Sequence, residues 1–432
     1  MNYYHPRNAL IVASLYLMDN WVKAYTGIPL ALLLDSILFL LCIRLLGKRS
    51  SYKTRLLLLV IFIVFLVNFL KIVSGISMII TSRGILMLFL LVYLALDYVD
   101  KSFSIYLIIK YFKNYLSILV LFVFIDGVYI NFIGSSSFFI NLFGVAGYAT
   151  LGNAVFFDSV AQGIIPGSQH ASIISCAGII MFFPFIKGDF STKNTIMFSV
   201  SIFCLLVSVT NTALLALVTS LLMYIFITFR FSMSYLSATA VAFICFFTMQ
   251  KYWKTWLKVR YDMLESVDDT MIDNFINNYF EIFLSPLKNI NELPIFYQLT
   301  GVGKSSLRGR EKVISEFFGF SNYQLDFGYL NMVLEQGLIS MVLIFLLYFY
   351  YFTYLCRILR IMPASVDRII MAKLIIIVNI FAISGIHYVT ITKNGILQFI
   401  VVIGVALFIM GHRYEKRFLT LNRNSMSLAQ LH

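Results

Sequence analysis

The feature that most constrains this chain is its repetition of long apolar blocks. Many are about 17 to 25 residues long, the length at which an α-helix rising about 1.5 Å per residue crosses a hydrocarbon core of roughly 30 Å. Each block is a candidate transmembrane helix. Of the 432 residues, 60% are hydrophobic and 12% charged, and the mean hydropathy is +0.88. That leaves too little polar surface to cover a soluble globule of this size. The sequence therefore predicts an all-α polytopic membrane protein. Cys42, Cys176, Cys204, Cys245 and Cys356 fall inside the apolar blocks or at their ends, without the paired spacing of metal or redox sites, and read as small apolar residues. The N-terminal run has no small-residue cleavage site of the A-x-A type and is expected to be retained.

A formal charge of +13 raises the question of nucleic acid, which the distribution of the charge answers. Residues 250–325, the long polar stretch, carry nine Lys/Arg and nine Asp/Glu and are neutral. The surplus sits in short connections: Arg44 to Arg55, Lys101 to Lys113, Lys187 and Lys193, Arg357 to Arg368, and Arg413 to Arg423. By the positive-inside rule these face the cytoplasm, and no nucleic-acid partner is expected. With them inside, the spans fall near 8–19, 27–46, 55–72, 76–97, 114–133, 170–186, 194–210, 212–229, 232–249, 326–354, 369–387 and 394–411. The first is short for a span. The expected organisation is helices 1 to 9 over 1–249, a periplasmic loop domain over 250–325 with helices around 251–265 and 271–284, helices 10 to 12 over 326–411, and a basic cytoplasmic tail over 412–432. The outside segment 134–169 mixes aromatics with Gly and Ser and is too broken to span. Backbone of that kind near a membrane is sheltered by protein or lines a watery cavity, because lipid cannot satisfy its amides.

The inside connections are short, so polar groups facing outside are where chemistry is expected. LTGVGKSSLRGREK (299–312) has a superficial likeness to a phosphate-binding P-loop, but position 298 is Gln where that motif needs its first Gly, and the segment lies on the side without ATP. Either it is a Gly-punctuated loop with solvated charge, or Lys304, Arg308, Arg310 and Lys312 form an anion site, where the planar fork of arginine suits a diphosphate. The next helix opens with Asp326 in its expected first turn. A carboxylate there serves either the helix macrodipole or, functionally, as a base or orienter of a hydroxyl. Arg83 falls in an apolar block, where a charge needs a partner or a cavity. Its alternatives are an ion pair with Asp35 or Asp126, or a lipid diphosphate. His170 and His387 stand at outside helix ends, as packed or interfacial histidines or as bases.

Gly301-x-Gly303, the basic residues that follow, Asp326 followed by x-x-Tyr329-Leu330, and Glu335-x-Gly337-Leu338-Ile339 together resemble the shared region of the O-antigen polymerases and ligases. GIIPGSQHASI (163–173) and TNTALLALVTSLL (210–222) are similar to further family stretches, and Arg308 and Gly319 fit an R-x(10)-G arrangement seen in some polymerases. Twelve helices with a long loop between the ninth and tenth are also the family layout. The ligases carry a His-Asn pair where this chain has Asp326 and Phe327, so the resemblance points to a polymerase.

The resemblance implies a GT-C-like membrane glycosyltransferase of the bacterial inner membrane, with its active site facing the periplasm. It would join undecaprenyl-diphosphate-linked oligosaccharide units into O-antigen or a similar polysaccharide, without cofactor or metal, beside a chain-length regulator and a flippase. On that reading Arg83, Arg260, Lys304, Arg308 and Arg310 bind diphosphate. Asp326 takes the acceptor proton, with His170 as second choice. Tyr297 and Tyr323 bind glycan, and Phe138, Tyr148 and Tyr279 offer further faces for sugars or, as the commoner role of such aromatics, packing. The alternatives are an O-antigen ligase, which transfers finished chains to lipid A-core, and a flippase for the same lipid. The chain shows neither the paired repeats nor the two-sided charged cavity of many transporters.

Overall fold

The computed structural model describes residues 22, 26–28, 105–133, 137–143, 161, 163, 168–183, 191–208, 211–228, 294–301, 328–362 and 365–384. The spans expected before residue 100, at 232–249 and at 394–411, the loop helices around 251–265 and 271–284, and the basic tail lie outside the described residues. Every regular element among the described residues is an α-helix: α1 (Ile105–Phe132), α2 (Phe138–Phe143), α3 (Ser168–Phe182), α4 (Thr192–Ser208), α5 (Asn211–Thr228), α6 (Ile295–Thr300), α7 (Gly328–Ile361) and α8 (Val366–Ser384).

Local chemistry sets the helix ends. The Ser191 hydroxyl accepts the Asn194 N–H at 3.2 Å to open α4, and Ser365 accepts the Arg368 N–H at 3.4 Å to open α8, both as serine N-caps. α6 follows Pro294 and stops at Gly301, whose φ of 75° is the left-handed backbone that suits glycine. Pro184 and Pro363 follow closely on α3 and α7. A proline cannot continue a helix.

Two helices run further than the hydropathy pattern indicates. α1 begins at Ile105, well before 114, and α7 continues from 354 to Ile361. In both cases the apolar pattern stops at cations and the helix does not. Lys110, Arg357 and Arg360 are exposed, and Lys113 places its ammonium 5.8 Å from the centre of the Phe182 ring. Long basic side chains carry their charge away from the helix on an apolar stem.

α1, α3, α4, α5 and α8 pack into one bundle, which α7 joins through α5 and α8. Its core includes the fully buried Phe112, Phe182, Phe381, Leu116, Leu214 and Leu355. Contacts along the helices fix their directions. Asn114 meets Lys193, the Val120 carbonyl accepts from the Cys204 thiol at 3.4 Å, and a Cβ on Gly127 would meet Val207, so α1 and α4 are parallel. α3 runs against both, its Ser172 hydroxyl bonding the Ser208 carbonyl at one end and Phe182 lying by Lys113 at the other. Small residues allow this close approach: a Cβ on Gly178 would collide with Ser201 Oγ and with Val120 at 2.9 Å.

Among the described residues Ile109–Phe132 is long and apolar enough to cross a bilayer, and His170–Phe182, Thr192–Ser208 and Ala213–Leu222 are shorter apolar helices. α7 is not one continuous rod. At Gly337 its backbone turns to φ 84°, ψ 164°, breaking the helix.

Candidate active site at the loop end of the bundle

Asp126, Val207, Ser208, Ser172 and His170 share one end of the bundle, by the contacts just described. The outer segment between α1 and α3 is fastened there. The Asp126 side chain has no exposed surface. One of its oxygens accepts the Ser137 hydroxyl at 2.5 Å, and the other accepts the Gly163 N–H at 3.0 Å. Ala161 donates its N–H to the Val207 carbonyl at 3.0 Å. Gly163 has φ 69° and lies so close to α1 that a Cβ would come within 2.9 Å of Val123, which excludes a side chain here on both counts. α2 is seated by aromatic edges: Phe138 against Tyr129 at 5.3 Å and Phe139 against Phe122 at 5.4 Å. Phe138 therefore packs, the commoner of its two expected roles.

His170 lies in the first turn of α3 and is fully buried. It is a packed histidine at the end of the bundle where α3 begins, without solvent-exposed surface. Tyr297 sits within α6, partly exposed, with its ring 5.6 Å from that of Phe296 in an edge arrangement. α6 packs on α7. The described part of α7 starts at Gly328, two residues after Asp326, and breaks at Gly337 within the Glu335-x-Gly337-Leu338-Ile339 run. Arg83, Arg260, Lys304, Arg308, Arg310, Tyr323, Asp326, His387, Tyr148 and Tyr279 lie outside the described residues.

In the sequence Asp126 stands out only as a partner for Arg83. Its role at the loop depends on partners 11 and 37 residues away, which no local pattern joins. The one available signal was a carboxylate inside an apolar run, which requires satisfied oxygens. Among the described residues no group of three or more His, Cys, Asp or Glu is placed to hold a metal ion.

The other end of the bundle is cationic. Lys373, buried within α8, donates to the carbonyls of Met181 at 3.2 Å and Phe183 at 2.7 Å. Arg368 donates to the Met362 carbonyl at 3.0 Å. Both cations satisfy carbonyls at helix C-termini, α3 and α7 respectively, where the macrodipole is negative. Lys110, Lys113, Lys193, Arg357 and Arg360 belong to the same end. Comparison of the whole chain with protein-family models and with curated proteins gives no match.

Proposed function

We propose that the chain is a bacterial inner-membrane polysaccharide polymerase, joining undecaprenyl-diphosphate-linked oligosaccharide units at the periplasmic face. The observation that carries this reading is the run from Gly301 to Ile339, whose family-like residues lead in sequence into a helix that breaks at Gly337. A membrane setting is supported by helices that are apolar on their outward faces as well as their buried ones. On α1, Ile118, Leu121 and Ile125 are 49%, 41% and 43% exposed, and on α7 Leu346 and Phe349 are 60% and 66% exposed. Apolar stripes of this length do not face water in a soluble monomer. The gathering of the described cations at the end opposite the outer segment agrees with the positive-inside assignment.

In the proposed reaction an acceptor sugar hydroxyl attacks the anomeric carbon of a donor glycan. The new C–O bond forms as the bond from that carbon to the diphosphate oxygen breaks. Asp326 receives the hydroxyl proton, and Arg83, Arg260, Lys304, Arg308 and Arg310 stabilise the charge that develops on the departing lipid diphosphate. Tyr297 and Tyr323 offer faces to the glycan. The test is a cell lacking this protein. It should display surface glycan with a single repeat on its lipid anchor, because attachment continues when extension stops. Loss of all attached glycan with accumulation of long lipid-linked chains would identify a ligase instead.

A further inference from the structure

We propose that Asp126 is a positioning residue, whose buried carboxylate ties the chain at Ser137 and at Gly163 to α1, and that this placement governs binding of the lipid-linked repeat. The proposal rests on the polymerase reading for its substrate, but the tie itself rests on geometry alone.

Among the described residues three bonds fasten the segment, and two of them end on Asp126. Ser137, just after α1, and Gly163, just before α3, reach the two oxygens of one side chain. Ser137 is 1% exposed and Ala161 fully buried, so both attachment points lie inside the protein rather than on its surface. The α4 carbonyl of Val207 fixes Ala161, and among the described residues Asp126 connects the α2 side of the segment to the α3 side. An aspartate is suited to this because it accepts at both oxygens. A buried carboxylate bonded to a hydroxyl and a backbone N–H is also a stronger tie than a neutral pair. His170 follows Gly163 by seven residues in the sequence, so the same tie bears on how the chain enters α3.

The distinguishing variants are Asp126→Ala and Asp126→Asn in the full-length protein reconstituted in liposomes, assayed with a defined lipid-linked repeat. Asparagine keeps a carbonyl oxygen for the Gly163 N–H, and its amide donates to a Ser137 hydroxyl that rotates to accept. It therefore preserves the tie without the charge. Asp126→Ala should raise KM for the lipid-linked repeat about tenfold with kcat within about twofold, and Asp126→Asn should restore most of it. Hydrogen exchange of peptides covering 137–143 and 161–163 should accelerate in the alanine variant and return toward the native rate in the asparagine variant.

An alanine variant that is folded and has an unchanged KM would overturn the proposal. So would an asparagine variant whose KM rises as far as that of alanine, since the charge itself would then matter. If Asp126→Ala does not accumulate, Ser137→Ala removes one of the two bonds, and unchanged KM together with unchanged exchange there is equally contradictory. A native protein that makes no polymer would defeat the polymerase reading, while the exchange measurements would still decide whether Asp126 holds the segment.

Discussion

The two ends of the helix bundle solve opposite problems. At the outer end the groups needing partners are a hydroxyl and a backbone N–H between α1 and α3, and a carboxylate supplies the acceptor: Asp126 takes the Ser137 hydroxyl and the Gly163 N–H. At the other end they are the terminal carbonyls of helices, and cations supply the donors: Lys373 on Met181 and Phe183, and Arg368 on Met362. The cationic end stabilises helices whose ends are otherwise regular. The carboxylate end fastens Ser137 and Gly163, which lie between α1 and α3, to α1. Variants at Asp126 should therefore alter how the lipid-linked repeat binds, and variants at the cationic end should lower stability and leave kcat per folded molecule intact.

The largest effect is expected at Asp326. Replacement by asparagine, nearly isosteric and suited to a helix start, should lower polymerisation about a hundredfold or more if the carboxylate accepts the proton, with unchanged thermal unfolding. Gel profiles of chain length read this directly. Normal long chains would remove Asp326 from the chemistry and make His170 the next base to test.

At the cationic end, Lys373→Met keeps the apolar stem and removes the donor from two buried carbonyls. It should destabilise the protein by about 2 to 3 kcal/mol, seen as a lower unfolding temperature in detergent, with kcat per folded molecule preserved. A loss of kcat at native stability would erase the contrast between the two ends.

The smallest effect sharpens the same contrast between polar groups that are satisfied and those that are not. Ser220 in α5 is fully buried, and its hydroxyl has no hydrogen-bond partner among the described residues. Removing an unsatisfied buried hydroxyl is neutral or favourable, so Ser220→Ala should change stability by between zero and about 1 kcal/mol in the stabilising direction. A marked loss would assign that hydroxyl a task.

What was legible in the sequence follows from which forces are local. Apolar blocks placed helices at 170–186, 194–210 and 212–229, and the structure has them at Ser168–Phe182, Thr192–Ser208 and Asn211–Thr228. Burial and chain direction leave a mark in every turn. Hydropathy misjudged the ends of α1 and α7 because it registers charge, whereas the helix ends where a proline or a cap ends it. Lys110 and Arg357 stay helical, and the chain stops before Pro363. Gly337 was noticed as part of a motif, but its φ of 84° depends on surroundings that a single glycine does not announce. The tie at Asp126 was illegible for a different reason. It joins residues far apart in sequence, and neither Ser137 nor Gly163 differs locally from any other loop serine or glycine.

The central claim is that this chain itself forms the bonds between repeats. Purified protein in liposomes, supplied only with a defined undecaprenyl-diphosphate-linked oligosaccharide and analysed by mass spectrometry, should yield lipid-linked dimers and longer oligomers together with free undecaprenyl diphosphate, and the Asp326→Asn protein should yield almost none. Intact single-repeat lipid as the only species recovered from correctly folded native protein would contradict the account.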